Sequence, residues 1–112
     1  MADCLFCKIA AGQIPAKVIK RDGEYLAFAD INPQAPTHLL VIPTRHVASL
    51  DQAHDGALLG GLMTFARDLA REVGVAQRGY RVVFNTNDEG GQTVAHLHAH
   101  LLAGRRMTWP PG

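Results

Sequence analysis

Apolar residues recur with helical spacing in one long segment, which makes it the clearest element of the chain. They lie three or four positions apart, and charged side chains such as Arg67 and Arg71 fall on the opposite side. Gly74 follows where a glycine commonly ends a helix. We therefore predict a helix here, with Met63 and Phe65 in the core. The apolar members of the pattern are Leu58, Leu59, Leu62, Met63, Phe65, Ala66, Leu69, Ala70 and Val73.

The segments before this helix predict a short helix and three strands. Asp3 can cap a helix over about residues 4–11, which Gly12 would end. Residues 18–29 are typical of a hairpin, with a turn at Asp22-Gly23 between two apolar stretches. Residues 38–42 form a mostly apolar strand that Pro43 ends.

Two alternating segments follow the long helix, joined by a polar, glycine-containing loop over residues 85–92. The first strand is predicted at 80–85 and the second at 94–102. In the second, His96, His98 and His100 alternate with apolar residues, so the imidazoles should project from one face at intervals of roughly 6–7 Å. The order of helix, strands, helix and strands predicts an α+β domain with an antiparallel sheet.

Composition narrows the class of protein. A chain of 112 residues with 47% hydrophobic content fits one domain, 1–112, with an ample core. The net charge of +1 gives no electrostatic reason to expect nucleic acid or a membrane surface as a partner. No stretch approaches the ~18 continuous apolar residues of a membrane span, and the start lacks the pattern of a secretory signal. We expect a small cytoplasmic protein that acts on small molecules.

The three alternating histidines are the strongest chemical feature. Titratable groups on one strand are costly to bury without a purpose, and imidazole suits nucleophilic and acid–base work near neutral pH. Taken alone, His96, His98 and His100 are equally compatible with a polar strand face or an adventitious metal site.

The surrounding residues resemble a known family. The run His-Leu-His-Ala-His-Leu-Leu at 96–102 matches the pattern of the histidine triad superfamily, in which histidine and apolar positions alternate. Residues 30–43 resemble its upstream segment, and the ending at 104–112 is similar to that of its Hint branch, the histidine triad nucleotide-binding proteins. The resemblance runs from Cys4 to Gly112. It implies a five-stranded antiparallel sheet with two helices, paired into a ten-stranded sheet in a homodimer.

The resemblance assigns catalytic roles. His98 matches a nucleophile that attacks the α-phosphorus of a purine nucleoside 5′-monophosphate derivative, giving a nucleotidyl-histidine intermediate that water hydrolyses. His100 matches a phosphate contact, His38 a supporting fourth histidine, and His96 the first member of the triad. Phosphoramidates and aminoacyl-adenylates are the implied substrates, and AMP or GMP the implied ligands. Considered alone, His38 is better explained as a structural histidine.

A nucleotide pocket follows from the same comparison. Asp30 matches a carboxylate that accepts hydrogen bonds from the ribose hydroxyls, although it is also a plausible turn residue. The apolar matches would hold the base, the loop at 85–93 offers donors that could cradle a phosphate, and Trp109 matches a residue that reaches the partner subunit's site. The expected nucleotide-binding residues are Leu5, Phe6, Ile9, Phe28, Asp30, Ile31, Asn85, Gly91, Gln92, Thr93 and Trp109.

The pair Cys4 and Cys7 forms a C-x-x-C motif without the strand-then-helix context of a redox site. Some bacterial members of the superfamily bind structural zinc with two such cysteines, a histidine in the position of His46 and the first triad histidine. The resemblance thus implies structural zinc on Cys4, Cys7, His46 and His96, which catalysis would not require. The alternative is two half-buried thiols that pack against the sheet.

Three functions remain open at this point. The first is an enzyme, a purine nucleoside phosphoramidase-type hydrolase. The second is a dinucleoside polyphosphate hydrolase or phosphorylase of another triad branch, which the Trp109-Pro110-Pro111-Gly112 ending disfavours. The third is a nucleotide-binding interaction module with incidental hydrolysis, which the presence of His98 disfavours.

Overall fold

Seven elements form an antiparallel sheet with two helices, as predicted. The computed structural model describes residues 3–112. The strands lie in the order β1-β2-β3-β5-β4, and every neighbouring pair is antiparallel. Along the chain the elements are α1 (Leu5–Ala10), β1 (Val18–Asp22), β2 (Tyr25–Ala29), β3 (Thr37–Pro43), α2 (Gly56–Glu72), β4 (Tyr80–Val83) and β5 (Ala99–Ala103).

The two faces of the sheet carry separate cores, because successive side chains of a strand point to opposite faces. Val41 and Ala27 pack with residues of α2 in one cluster. Ile42 and Leu26 are the sequence neighbours of Val41 and Ala27, and they pack with Phe6 of α1 in the other cluster. The central strands are thus covered on both sides. Helix α1 packs on the face that carries Leu26 and Ile42, close to His96 and His98.

The long helix behaves as its pattern predicted, with one exception. Asp55 caps its start by accepting hydrogen bonds from the first turn, and Gly74 follows its end with a φ of +85°. Phe65 is buried, but Met63 is 45% exposed. The prediction that Met63 lies in the core is wrong, because this residue follows the fully buried Leu62 by one position, about 100° further around the helix.

The short helix begins one residue later than predicted. Cys4 occupies the N-cap with an extended backbone, and its Sγ accepts a hydrogen bond from the N–H of Cys7 at 3.3 Å. Asp3 therefore precedes the cap position instead of filling it. The helix ends at Ala10, Ala11 is its C-cap, and Gly12 follows with a φ of +75°.

The predicted final strand is shorter than its alternating pattern. β5 begins only at Ala99, where its pairing with Val41 of β3 begins. His96 and His98 precede the strand, and between them the N–H of Leu97 donates to the carbonyl of Val47 at 2.6 Å. The expectation of three imidazoles on one strand face is wrong for this reason. Likewise β4 ends at Val83, before the predicted end at residue 85.

Within residues 3–112 no helix has the length and apolar character needed to cross a membrane.

Candidate active site and metal cluster

The segment from His96 to His100 contributes side chains to two neighbouring clusters. His96 faces the thiols of Cys4 and Cys7. His100 instead faces His38 on the adjacent strand β3. His98 lies between the clusters, with its ring centroid 5.1 Å from that of His100. The backbone is irregular up to His98 and becomes a strand at Ala99, so His96 and His100 point to different clusters.

His98 is held by its own backbone. Its Nδ1 donates a hydrogen bond to the carbonyl oxygen of His96 at 2.7 Å, since a carbonyl can only accept. In the neutral ring the proton is therefore on Nδ1, and Nε2 keeps its lone pair. The ring of Phe6 lies edge-on to it with centroids 5.2 Å apart. His98 is 5% exposed, so its orientation is fixed on two sides.

A directional hydrogen-bond relay ends at His100. The N–H of Gln34 donates to Nδ1 of His38 at 3.0 Å, which places the proton of the neutral ring on Nε2. That Nε2 lies 2.9 Å from Nδ1 of His100. His100 must then carry its own proton on Nε2, and this buried atom has no hydrogen-bond partner among the described residues. A buried donor without a partner marks a position for an acceptor such as a phosphate oxygen.

Burial keeps this relay neutral. It lowers the pKa of His100 to about 4, helped by His98 and His38 and opposed by Asp30. Burial also lowers the pKa of His38, again against the carboxylate of Asp30, whose Oδ2 lies 3.4 Å from Nε2 of His38. Neutral rings at pH 7 preserve the donor and acceptor directions of the relay.

Asp30 is a turn residue whose second carboxylate oxygen faces His38. Its Oδ1 accepts a hydrogen bond from the N–H of Asn32 at 2.8 Å, as in a turn. Its other oxygen, Oδ2, lies beside His38 with the side chain 18% exposed. The carboxylate is thus fixed by the turn and keeps one oxygen partly accessible.

The predicted base-binding residues form two groups. Phe6, Ile9 and Phe28 are buried, and the rings of the two phenylalanines pack at 74° with centroids 5.3 Å apart. Leu5 is 45% exposed and Ile31 fully exposed, so neither belongs to the core. Of the five apolar residues expected to hold the base, three are therefore buried and two are exposed.

The loop before the triad is held by Gln92. Its Nε2 donates to the carbonyls of Ala48 and Val94, and its Oε1 accepts from the N–H of Asn87. These contacts occupy the side-chain amide, while Thr93 is exposed. Of the other predicted phosphate contacts, Asn85 is half-buried, and Gly91 is exposed with a φ of +80°.

A cluster of two cysteines and two histidines contains the four residues that the resemblance implied as zinc ligands. One ligand atom from each of Cys4, Cys7, His46 and His96 lies within 4.8 Å of all the others. Nε2 of His96 donates to the carbonyl of Pro43 at 2.8 Å, which leaves Nδ1 as a lone pair facing the thiols. Such a backbone bond to the non-ligating nitrogen is typical of metal-bound histidine. Two thiols and two imidazoles are a donor set that tetrahedral zinc prefers, so the residues fit this ion.

Protonation in this cluster also follows from burial. Burial and the neighbouring Cys4 raise the pKa of the Cys7 thiol. Burial lowers the pKa of His96 against the effect of its bond to Pro43. His96 is therefore neutral and has its lone pair available at pH 7.

The sequence interpretation missed three residues that act through backbone groups. Gln34 fixes the tautomer of His38, Pro43 fixes that of His96, and Val47 accepts from Leu97 beside the nucleophile candidate. A backbone group does not depend on residue type, so only their nearness to predicted site residues could have indicated them.

The C-terminal tail runs beside the edge strand β4. Arg81 donates to the carbonyl of Thr108 at 2.9 Å, and Arg105 donates to the carbonyl of Gln34 at 3.0 Å. Trp109, at the end of this tail, is 81% exposed. The tail is thus joined both to the sheet edge and to the segment that orients His38.

Comparison with known proteins identifies relatives of this chain along nearly its whole length. The family description "HIT domain" matches residues 11–107. An uncharacterized HIT-like protein of Synechococcus elongatus is 48% identical, over 98% of this chain and 97% of the relative. The 14 kDa zinc-binding protein of Zea mays is 45% identical, over 96% and 87%. A solved HIT family hydrolase from Legionella pneumophila superposes with a TM-score of 0.95 at 54% identity, over 98% and 100%.

A five-stranded antiparallel sheet with a histidine cluster at the start of an inner strand defines the class of protein. The chain belongs to the HIT domain family.

Proposed function

We propose that this protein is a hydrolase of the Hint branch that cleaves purine nucleoside 5′-phosphoramidates and related nucleoside monophosphate derivatives, with His98 as the nucleophile. The observation that carries this proposal is the bond from Nδ1 of His98 to the carbonyl of His96. In the neutral ring it places the proton on Nδ1 and leaves the Nε2 lone pair for attack.

The reaction balances with one water. The Nε2 lone pair of His98 forms a bond to the α-phosphorus while the phosphorus–nitrogen bond breaks. The positive charge that develops on the imidazole ring is stabilised by the Nδ1–H bond to the carbonyl of His96. Water then attacks phosphorus and the Nε2–phosphorus bond breaks, which regenerates neutral His98. The leaving nitrogen takes a proton from solvent as the phosphorus–nitrogen bond breaks. The attacking water later returns one proton to solvent, and its oxygen ends on the nucleoside monophosphate.

His100 contributes an electrostatic effect. Its buried Nε2–H has no partner among the described residues and lies on the ring next to the nucleophile. A phosphate oxygen that accepts this bond gains negative charge in the transition state, so the bond strengthens when it is needed. Because the relay from Gln34 through His38 fixes the donor in advance, no rotation is required during the reaction.

Two features support the reaction class and the branch. The solved relative from Legionella pneumophila is described as a HIT family hydrolase. The Trp109-Pro110-Pro111-Gly112 ending and its exposed tryptophan are similar to the Hint C-terminus.

The test is AMP release from adenosine 5′-phosphoramidate by the wild type, His98→Ala and His54→Ala. We expect turnover by the wild type, none by His98→Ala, and unchanged turnover by His54→Ala, because His54 is an exposed loop histidine. Activity near wild type in His98→Ala would remove His98 as nucleophile. AMP binding without turnover by the wild type would favour the nucleotide-binding module, and cleavage of dinucleoside polyphosphates alone would favour the other triad branch.

Structural zinc is part of the proposal. Cys4, Cys7, His46 and His96 would fill its coordination sphere, and zinc there would join the N-terminal segment to the region around His98 without taking part in the chemistry. The 45% identical relative described as a zinc-binding protein supports this assignment. Metal analysis should give about one zinc per chain, falling below a tenth of that in a Cys4→Ser/Cys7→Ser variant.

We also propose a homodimer formed through β4. This strand ends the sheet order, and an unpaired edge is a ready template for another strand. The tail beside it presents Trp109 to solvent. Light scattering should give twice the chain mass of 12.1 kDa, and a monomer at micromolar concentration would contradict this assignment.

A further inference from the structure

A single peptide group joins the metal cluster to the candidate nucleophile. The carbonyl oxygen between His96 and Leu97 accepts the bond from Nδ1 of His98. The N–H of the same trans peptide donates to the carbonyl of Val47 at 2.6 Å. Because a peptide group is planar, its carbonyl and N–H turn together. The orientation of the His98 ring therefore depends on the contacts that hold this peptide in place.

Both anchors of the peptide lie at metal ligands. On one side, the ring of His96 is held by the carbonyl of Pro43 and faces the thiol of Cys4 at 3.3 Å. On the other side, Val47 directly follows His46, whose Nδ1 lies 3.3 Å from the thiol of Cys7. The peptide precedes β5, so no strand ladder holds it. The buried side chain of Leu97 and these two anchors, one at His96 and one directly after His46, hold it in place.

Packing makes the same connection through α1. Cys4 caps this helix and Cys7 lies within it, while Phe6 contacts the rings of both His96 and His98. A helix of 6 residues is not stable by itself, so its position depends on tertiary contacts. The contacts of Cys7 and the packing of Phe6 thus hold the same short helix beside His98.

We propose that zinc in the Cys4–Cys7–His46–His96 cluster orients the nucleophile: with the metal bound, the His96–Leu97 peptide and Phe6 hold His98 in the single tautomer that leaves Nε2 free. His96 and Val47 act as positioning residues. The consequence for catalysis rests on the proposed function, but the effect on the His98 ring does not.

The experiment observes the ring directly. Protein with ¹⁵N-labelled histidine is studied at pH 7.5 without substrate, and long-range proton–nitrogen spectra report the protonation of each ring nitrogen. In the zinc-loaded wild type, His98 should show a protonated Nδ1 and a bare Nε2. After removal of zinc, the two nitrogens should move toward averaged positions, and re-addition of zinc should restore the first spectrum.

Variants separate orientation from stability. Cys7→Ser keeps the size of the side chain and the Cys4 cap but removes a thiolate ligand, so it should show the averaged His98 signals even with zinc present. Leu69→Val, on the buried face of α2, should lower the unfolding temperature and leave the His98 signals unchanged. If the zinc-free chain unfolds, His46→Asn, which keeps three ligands, provides the same comparison in a folded protein.

Unchanged His98 signals in folded protein without zinc, or in folded Cys7→Ser, would overturn the proposal. With adenosine 5′-phosphoramidate as substrate, removal of zinc should lower kcat by about 10- to 100-fold, and re-addition should restore it. Averaged signals with no turnover by any form would uphold the coupling and reject the proposed reaction. The two failures are therefore distinguishable.

Discussion

Nε2 of His38 lies 2.9 Å from Nδ1 of His100, although the two residues are 62 positions apart in the sequence. The N–H of Gln34 decides which ring donates in this contact. It donates to Nδ1 of His38, so the proton of the neutral His38 ring is on Nε2. The result is that Nε2–H of His100 is a buried donor with no partner among residues 3–112.

Replacement of His100 tests the value of this donor. His100→Ala should lower kcat for the phosphoramidate by about 10²–10³-fold, the usual cost of losing one preorganised donor to a transition-state oxygen. His38→Ala should cost less, because His38 acts through His100 and the Nε2–H then forms in part of the population. Steady-state kinetics of both variants measure the difference. A larger loss in His38→Ala would contradict this order.

Acid should destabilise the protein through His100. Its pKa is near 4 in the folded chain and near the ordinary 6.5 when unfolded, so the unfolded state binds more protons between these values. The stability that depends on neutral His100 is complete above pH 6.5 and is lost as the pH falls toward 4, by up to about 3 kcal/mol. Urea unfolding at pH 7 and pH 4.5 measures it.

The control for this pH dependence is His100→Gln, which removes the titrating group. The loss of stability between pH 7 and pH 4.5 should be smaller in this variant than in the wild type by most of that amount. Equal losses in the two proteins would show that other groups carry the acid sensitivity.

The ribose assignment predicts a selective effect of Asp30. Asp30→Ala should raise the Kd for AMP by ten- to a hundredfold, since hydrogen bonds to a charged group contribute about 1.5–3 kcal/mol. The Kd for a 2′,3′-dideoxy analogue should change little. Asp30→Asn, which retains an acceptor for the N–H of Asn32, controls for the turn. Calorimetric titration gives each Kd, and equal losses for both ligands would reject the assignment.

Two adjacent glycines of α2 should respond oppositely to alanine. A Cβ at Gly61 would lie 2.1 Å from the hydroxyl of Tyr25, which is itself bonded to the carbonyl of Leu58. We expect Gly61→Ala to destabilise the protein by about 1–3 kcal/mol. Gly60→Ala meets no neighbouring atom within 4 Å and should stabilise it by up to about 1 kcal/mol. Thermal unfolding of both variants checks the contrast, and a stabilised Gly61→Ala would show that Tyr25 moves aside.

The elements were predictable from the sequence for a physical reason, and the Cys/His cluster was indicated by a resemblance. Apolar spacing decides which face of a helix or strand is buried, so the pattern ending at Gly74 located α2 and the alternating segments located the strands. The resemblance to the triad superfamily singled out Cys4 and His46, and folding brings them together with Cys7 and His96.

Tertiary structure alone decided how the three triad histidines differ. The sequence gives them equal spacing, but the ladder with β3 begins at Ala99, and this start sets His100 apart from His96 and His98. The tautomer of each ring then depends on a backbone group. For His96 this is the distant carbonyl of Pro43, and for His98 it is the carbonyl of His96 in the irregular segment before β5. Alternation of side chains specifies a face only where a strand forms, and strand formation depends on where a partner strand is available.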